Sequence, residues 1–270
     1  MRTKLVLPIL SAALLSLAAC DFEDMGGMHY TRDFHYNYPL ASNGKLSVET
    51  FNGAIEVSGW DQDAVDISGT KQGRTQQAAD ELEVTVDHSA NAVSVRVLRP
   101  SDRHQNLGAR FVVKVPRHAV LDRLVSSNGA IRTTDGVGPA RFRTSNGAIQ
   151  VSGLAGSLEA QTSNGRVSAN LLKADGPIRV ETSNGSVEIT LPDQFDEEVR
   201  AHTSNGSVTL RVPGALNARI AARTSNGKIS SDLDMRTNGE ISRNRLEGVI
   251  GAGGPLIDLT TSNGGIRITK

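Results

Sequence analysis

Two groups of closely spaced carboxylates are the residues that most resemble a metal site. Asp61, Asp63 and Asp66 stand in the segment DQDAVD, and oxygen ligands at this spacing suit Ca²⁺. The segment lacks the glycine and the distal glutamate of an EF-hand loop, so an exposed turn between two strands is the stronger interpretation. The second group, in PDQFDEEV, favours an exposed loop and consists of Asp193, Asp196, Glu197 and Glu198. We therefore predict no metal site and no cofactor.

From residue 127 onward, serine precedes an Asn-Gly pair seven times, which raises the question of a nucleophile. These residues are Ser127, Ser145, Ser163, Ser183, Ser204, Ser225 and Ser262. No histidine or aspartate recurs beside them, and a catalytic residue is normally unique, so the repetition favours a structural role. Among the scattered histidines, His29, His35, His88, His104, His118 and His202, only the first two are close in sequence. Two histidines are too few ligands for a zinc site, and we predict no catalytic residue.

The single cysteine, Cys20, stands at the end of a segment typical of secretion. Arg2 and Lys4 precede an apolar run at residues 5–17, and small residues follow, as in a signal peptide. The ending LAAC resembles the lipobox of bacterial lipoproteins, a resemblance that implies cleavage before Cys20 and lipidation of its thiol. The alternatives are an ordinary signal peptide and a transmembrane anchor, but the run is shorter than the ~20 residues that span a bilayer. We predict attachment to the membrane through acyl chains.

The composition bounds the class of protein. Lys and Arg total 29, equal to Asp and Glu, so no overall field attracts nucleic acid. Aromatic residues make up only 4% of the chain. The core must therefore be narrow and filled by Val, Ile, Leu and Ala.

The Ser-Asn-Gly unit recurs with a short and slightly variable period. From Asn128 the intervals between successive Asn residues are 18, 18, 20, 21 and 21 residues, and a further copy follows 37 residues later. The repeated residues are Asn128, Asn146, Asn164, Asn184, Asn205, Asn226 and Asn263. A period of about 20 residues indicates a repeat architecture in which each unit is one structural layer.

Apolar residues occupy fixed columns around each Asn and alternate with polar ones. The column three residues after Asn holds Ile131, Ile149, Val167, Val187, Val208, Ile229 and Ile266. Strict alternation predicts strands with one buried face. The Thr two residues before Asn shares the parity of the apolar residues, so we expect it to point inward, which opposes ice binding by an exposed Thr array.

Two architectures fit this pattern. Asn-Gly between alternating runs is a strong hairpin signal, which would give an antiparallel meander. In a β-solenoid, equivalent residues stack about 4.8 Å apart, and Asn side chains form a ladder of amide hydrogen bonds as in cross-β structures. The same residue types recur in each column of the repeat, and this favours the β-solenoid over the meander. We therefore predict an all-β fold, a right-handed parallel β-helix with coils of 18–21 residues. We expect Asn-Gly at its corners, with the glycine supplying a positive φ.

The predicted organisation has three parts. Residues 1–19 are the signal peptide, residues 20–36 the lipidated cysteine and a flexible tether, and residues 37–270 one solenoid domain. Within it, residues 37–120 form irregular early coils and residues 121–270 the regular ones. The segment KQGRTQQAADEL at residues 71–82 predicts a short helical insertion.

Several segments resemble a known bacterial family. The segments GWDQDAVDISG and ARFVVKVPRHAVL, the TSNG corners and the C-terminal LEGVIGAGGPLIDLTTSNGGIRI are similar to the "putative adhesin" β-strand-repeat family, a domain of unknown function. The likeness covers roughly residues 38–270. It implies a β-helical fold and assigns no site residues.

These observations favour a non-enzymatic, lipid-anchored protein of the cell envelope, with an adhesin-like binding or spacer role. Its partners would be the membrane, through the lipid, and an unknown envelope protein or glycan. The alternative is a β-helix enzyme, a lyase or hydrolase, acting on polysaccharide, which needs paired carboxylates in one groove. We also expect the strand at residues 266–269 to be an open edge through which the C-terminal coil self-associates. Otherwise an earlier segment, from the interval between Asn226 and Asn263, covers that edge.

Overall fold

The computed structural model describes residues 30–99, 107–236 and 242–270. These ranges contain 22 strands and one helix. In chain order they are β1 (Tyr30–Pro39), β2 (Lys45–Asn52), β3 (Ile55–Trp60), β4 (Ala64–Gly73), α1 (Gln76–Glu81), β5 (Val84–Ser89), β6 (Ala92–Val97), β7 (Gly108–Pro116), β8 (Val120–Asn128), β9 (Ile131–Thr134), β10 (Ala140–Thr144), β11 (Ile149–Ala155), β12 (Leu158–Asn164), β13 (Val167–Lys173), β14 (Ile178–Asn184), β15 (Val187–Thr190), β16 (Val199–Asn205), β17 (Val208–Arg211), β18 (Ala218–Thr224), β19 (Ile229–Ser231), β20 (Arg245–Ile250), β21 (Leu256–Asn263) and β22 (Ile266–Thr269).

The strands form two long, mostly parallel sheets of 11 strands each. Sheet A has the order β1-β4-β7-β3-β9-β11-β13-β15-β17-β22-β19, and sheet B the order β20-β18-β21-β16-β14-β12-β10-β8-β2-β6-β5. In the repeat region a strand of sheet B leads through Ser-Asn-Gly into a strand of sheet A, as where β14 ends at Asn184 and β15 begins at Val187. Because β12, β14 and β16 pair in parallel, the structure is a β-solenoid-like stack of coils and not a meander.

The apolar columns lie between the two sheets, as the alternation predicts. Val187 aligns with Val167 on one side and Val208 on the other, and all three are at most 1% exposed. The Thr column is buried as well, which confirms its inward orientation. Its members include Thr144, Thr162, Thr182, Thr203 and Thr224. Stacking equivalent residues thus builds one continuous core along the rod.

The prediction that the repeated glycines serve a positive φ is wrong. Among the described Asn-Gly pairs that follow serine, none has its glycine in the left-handed region. The reason for glycine is a close approach between coils: a Cβ on Gly165 would lie 2.0 Å from the carbonyl oxygen of Gly147. The same distance separates a Cβ on Gly185 from the oxygen of Gly165. Any side chain here would force neighbouring coils apart.

The N-terminal end of the rod contains antiparallel strands and the predicted helix. Strand β1 begins at Tyr30, so residues 30–36, which we placed in the tether, belong to the folded body. The polar composition of this segment suggested a tether, but its alternate aromatic residues pack inward as part of an edge strand. The ring centroids of Phe34 and Phe111 lie 5.4 Å apart, and the ring of Tyr38 stacks on that of His88 at 4.0 Å. Helix α1 begins after Thr75, whose hydroxyl accepts from the backbone of Ala78, and it is shorter than the predicted segment.

The C-terminal strand is not an open edge, contrary to our expectation. Strand β22 pairs with β17 on one side and with β19 on the other. Strand β21 likewise lies between β16 and β18. The interval before Asn263 instead covers the end of the rod, because β20 pairs antiparallel with β18 and Arg236 bridges to Val249. The second of the two alternatives from sequence is therefore the one observed.

One inward hydroxyl lacks a partner, and this permits a stability prediction. Thr133 is 1% exposed, and its hydroxyl forms no hydrogen bond among the described residues. We expect Thr133→Val to stabilise the protein by about 1 kcal/mol, because the isosteric methyl group removes an unpaired buried polar atom. The control is Thr162→Val, which loses the hydrogen bond from the Thr162 hydroxyl to the oxygen of Gly147 at 3.0 Å. Urea denaturation should move the two midpoints in opposite directions, and a loss of stability in both variants would contradict this account.

Candidate binding surface

The predicted Asn ladder forms one row along the line where the two sheets meet. From Asn128 onward, each side-chain amide donates to the Oδ1 of the preceding Asn in the stack at 2.7–2.9 Å. The spatial order is Asn52, Asn128, Asn146, Asn164, Asn184, Asn205, Asn263 and Asn226. Asn52, at the N-terminal end, donates to the backbone oxygen of Leu107 at 2.8 Å. The row thus continues beyond the repeat, and it places Asn263 ahead of Asn226.

A second chain of hydrogen bonds lies directly beneath this row. Each Thr that stands two residues before a repeat Asn donates its hydroxyl to the carbonyl oxygen of the glycine in the neighbouring corner, as Thr182 does to Gly165 at 3.1 Å and Thr203 to Gly185 at 2.8 Å. The glycine that allows the close approach is therefore also the acceptor. Together the Asn, Thr and Gly columns hold the corners in a straight line.

The serine of each corner points away from the core, because it alternates with the inward Thr. Ser145, Ser163, Ser183 and Ser225 are exposed, and Ser127, Ser204 and Ser262 are partly exposed. Within the described ranges these serine side chains make no hydrogen bond to the protein. We call the seven outward serines the serine row. It runs beside the Asn row, with its hydroxyls about 4.8 Å apart, and presents unused donors and acceptors at a constant interval.

Charged residues flank the serine row on the outer face of sheet B. Arg141 donates to Glu159 at 3.0 Å, and Arg123 donates to Glu49 at 2.7 Å. Both pairs are exposed, so each contributes at most about 1 kcal/mol to stability. These ion pairs neutralise part of the outer face of sheet B.

The carboxylates considered as a calcium site are not brought together. Asp61 accepts two hydrogen bonds from Arg117, the shorter of 2.6 Å, and this interaction lowers the pKa of Asp61. Asp66 lies on the outer face of β4, and its Oδ2 is 2.7 Å from the Nε2 of His35. Burial raises the pKa of Asp66, but the hydrogen bonds with His35 and Asn37, together with the electrostatic interactions with His35 and Lys114, lower it by more. The described residues contain no cluster of three or more groups that could hold a metal ion.

The other candidate residues are spread over the surface. Asp193, Asp196, Glu197 and Glu198 occupy the connection between β15 and β16, and His202 lies outward on β16. Cys20, His29 and His104 lie outside the described residues. Within those residues, no helix has the length and apolar character needed to cross a bilayer.

The structure also forms an open groove of about 690 Å³ at the N-terminal end of the Asn row. Glu56 lies on its wall and accepts from Arg110 at 2.9 Å and from Arg132 at 3.5 Å. Sequence reasoning missed this groove, since its residues come from six strands, β2, β3, β4, β7, β8 and β9, and carry no local motif. The serine row, by contrast, could have been recognised, because an inward Thr requires the following Ser to point outward.

Comparison with known proteins identifies similarity at two levels. The family model described as Toastrack DUF4097 matches residues 123–212 and 193–269, more than half of the chain. No curated protein matches the chain by sequence.

Several solved structures match the chain at low identity. A "putative cell adhesion protein" from Clostridium sporogenes is 12% identical, with 88% of this chain and 99% of that chain covered and a TM-score of 0.40. A "putative adhesin" from Bacteroides fragilis is 10% identical, covering 88% and 97%, with a TM-score of 0.41. A "putative lipid binding protein" from Parabacteroides distasonis is 10% identical, covering 91% and 98%, with a TM-score of 0.38.

Proposed function

Because the chain belongs to the Toastrack DUF4097 family, we propose that it is a non-enzymatic, adhesin-like protein of the cell envelope, anchored by a lipid on Cys20. The proposed partner is a repeating envelope polymer, such as a glycan strand. The observation that carries this proposal is the serine row. A surface that offers the same hydroxyl on every coil suits a partner that also repeats, because many weak contacts then add into useful avidity.

A binding experiment with matched variants tests the proposal. Purified full-length protein in detergent is screened against envelope glycans and intact cells. The row variant carries Ser163→Lys and Ser183→Lys, which insert long charged side chains into the serine row. The control carries Asn170→Lys and Thr190→Lys, which change the outer face of sheet A. We expect glycan or cell binding that the row variant loses and the control retains.

Three results would overturn the proposal in distinct ways. Equal binding by the row variant and the wild type would show that another surface is used. Binding to a single envelope protein, with no binding to glycans, would replace the polymer by a protein partner. Turnover of a polysaccharide in the same screen would favour the β-helix enzyme instead.

The lipid anchor gives a separate prediction. We expect Cys20→Ser to abolish incorporation of labelled palmitate, and the protein to be either uncleaved or released from the membrane fraction. The reason is that Cys20 is the only thiol in the chain, so no other residue can accept a thioether-linked lipid. Membrane fractionation and labelling check this outcome. A variant that still carries palmitate and sediments with membranes would refute the anchor.

We also infer that the coils wind in the right-handed sense. Each coil connects two parallel strands of the same sheet through a crossover, and such crossovers are right-handed in about 98% of cases. An experimental electron-density map would test the handedness directly.

A further inference from the structure

The last coil of the chain occupies a place that sequence order does not give it. Strands β16 and β17 precede β18 and β19 in the chain, but the two coils do not touch through these strands. Instead β21 and β22 lie between them. The chain therefore passes over one coil position at residues 212–217 and returns to fill it only with residues 256–269. We call this position the slot.

The slot is built to hold a coil of the Ser-Asn-Gly type. On one side, Asn263 donates to Asn205 and Thr261 donates to the oxygen of Gly206, both at 2.8 Å. On the other side, Asn226 donates to Asn263 at 2.9 Å and Thr224 to the oxygen of Gly264 at 2.8 Å. Both walls thus offer the same groups that join coils elsewhere in the rod.

Filling the slot also completes the core. The inserted coil supplies four apolar side chains that are at most 1% exposed, namely Ile257, Leu259, Ile266 and Ile268. Without the coil, four strand edges and the core between them would be open to water. Edges of this kind pair readily with another strand of suitable register.

The inserted coil is joined to the rest of the chain by a glycine-rich connection, residues 251–255. Gly251 and Gly253 adopt positive φ values of 57° and 84°. A Cβ on Gly251 would lie 2.1 Å from the Oδ1 of Asn217. The backbone amide of Ala252 donates to that same Oδ1 at 2.9 Å. The side chains of Arg236 and Arg219 donate to the backbone oxygens of Gly251 at 2.7 Å and Gly254 at 3.1 Å. A short, tightly turned connection is the typical hinge of a segment exchanged between copies.

We propose that the slot of one copy accepts the C-terminal coil, residues 256–269, of a second copy. An exchanged coil makes every contact that it makes in the monomer, since the walls of the slot are identical in both. Exchange therefore costs only the opened connection and the entropy of association. This differs from edge pairing through β22, because the slot binds the coil on both sides. The proposed exchange of the C-terminal coil does not depend on the proposed function.

A cross-linking experiment with full-length chains tests the proposal. Arg200 on β16 and Asp258 on β21 are register partners on the outer face. One copy carries Arg200→Cys and the other Asp258→Cys, both in a Cys20→Ser background that leaves no other thiol. The copies are mixed, unfolded in denaturant, refolded together and oxidised. A disulfide between copies then reports a coil in the slot of the other molecule.

The exchange makes a quantitative prediction. The effective concentration of a tethered segment is on the order of millimolar, so the cross-linked dimer should be about tenfold rarer for each tenfold dilution below that concentration. In the matched control, Arg200→Cys is mixed with Glu159→Cys. Glu159 lies on β12, two strands from β16, so the control should yield only background.

Each other outcome overturns the proposal. If the mixed copies give no more dimer than the control at any concentration, the slot does not accept a second copy. A single chain with both Arg200→Cys and Asp258→Cys should form the disulfide internally as a monomer, which shows that this pair is competent to react. If it does not, the insertion of the last coil is itself wrong.

Discussion

Replacing Val187 by aspartate is expected to unfold the protein. Val187 is 1% exposed and contacts equivalent valines on the strands at either side. An aspartate there would be buried without a partner among apolar columns, which costs about 3–5 kcal/mol. Since native proteins are stable by only about 5–15 kcal/mol, this loss would be enough to unfold a protein at the lower end of that range.

The neighbouring residue provides the control. Glu188 is on the outer face, 39% exposed, and accepts from Arg211 at 3.3 Å. Glu188→Lys loses this exposed pair and should change stability by no more than about 1 kcal/mol. Thermal unfolding followed by circular dichroism compares the two. Similar melting temperatures for both variants would show that the inward and outward columns have been assigned incorrectly.

Substituting alanine for Gly185 is expected to disrupt the stacking of coils. A Cβ at this position would lie 2.0 Å from the carbonyl oxygen of Gly165, and the obstacle is backbone that cannot rotate away. The coils would have to separate locally, which would lengthen the bond from the Thr203 hydroxyl to Gly185, now 2.8 Å. We expect a loss of about 3 kcal/mol, at the upper end of the cost of overpacking.

The matched substitution is Ser183→Ala, two residues away in the same corner. Ser183 is exposed, so the change should stay within about 0.5 kcal/mol. Urea denaturation of both variants measures the difference. If Gly185→Ala were as stable as Ser183→Ala, close approach would not be the reason for the repeated glycine.

Much of the regular region could be predicted from sequence because its interactions repeat. The buried column through Val187, the inward Thr residues and the row of Asn amides all follow from alternation and from the stacking of like residues. The helix near Gln76 and the hairpin of β5 and β6 follow from local composition and turn signals. These features depend on near neighbours in the chain or on identical neighbours in the stack.

The remaining features depend on contacts that repetition does not specify. The requirement for glycine at 165 and 185 comes from the spacing between coils, which no local pattern reports. The tether prediction was wrong over residues 30–36 because β1 is stabilised by Phe111, far away in the chain. The groove around Glu56 joins residues from separated strands in the same way.

The position of the last coil could not be predicted from the sequence. Its columns match those of both neighbouring coils, so the sequence is equally compatible with stacking at the end of the rod and with insertion. In the structure β20 pairs with the outer edge of β18, and β21 pairs with its other edge. That antiparallel pairing has no signal in the repeat.

Amide hydrogen exchange of residues 266–269 across a concentration series tests this arrangement. An inserted β22 has partners on both sides, with Ile266 donating to Lys228 at 3.0 Å on the β19 side. We therefore expect slow exchange of all four amides in the monomer, at every concentration, to a degree similar to that of β15. Fast exchange of alternate amides in the monomer, of the kind an edge strand shows, would contradict the inserted coil.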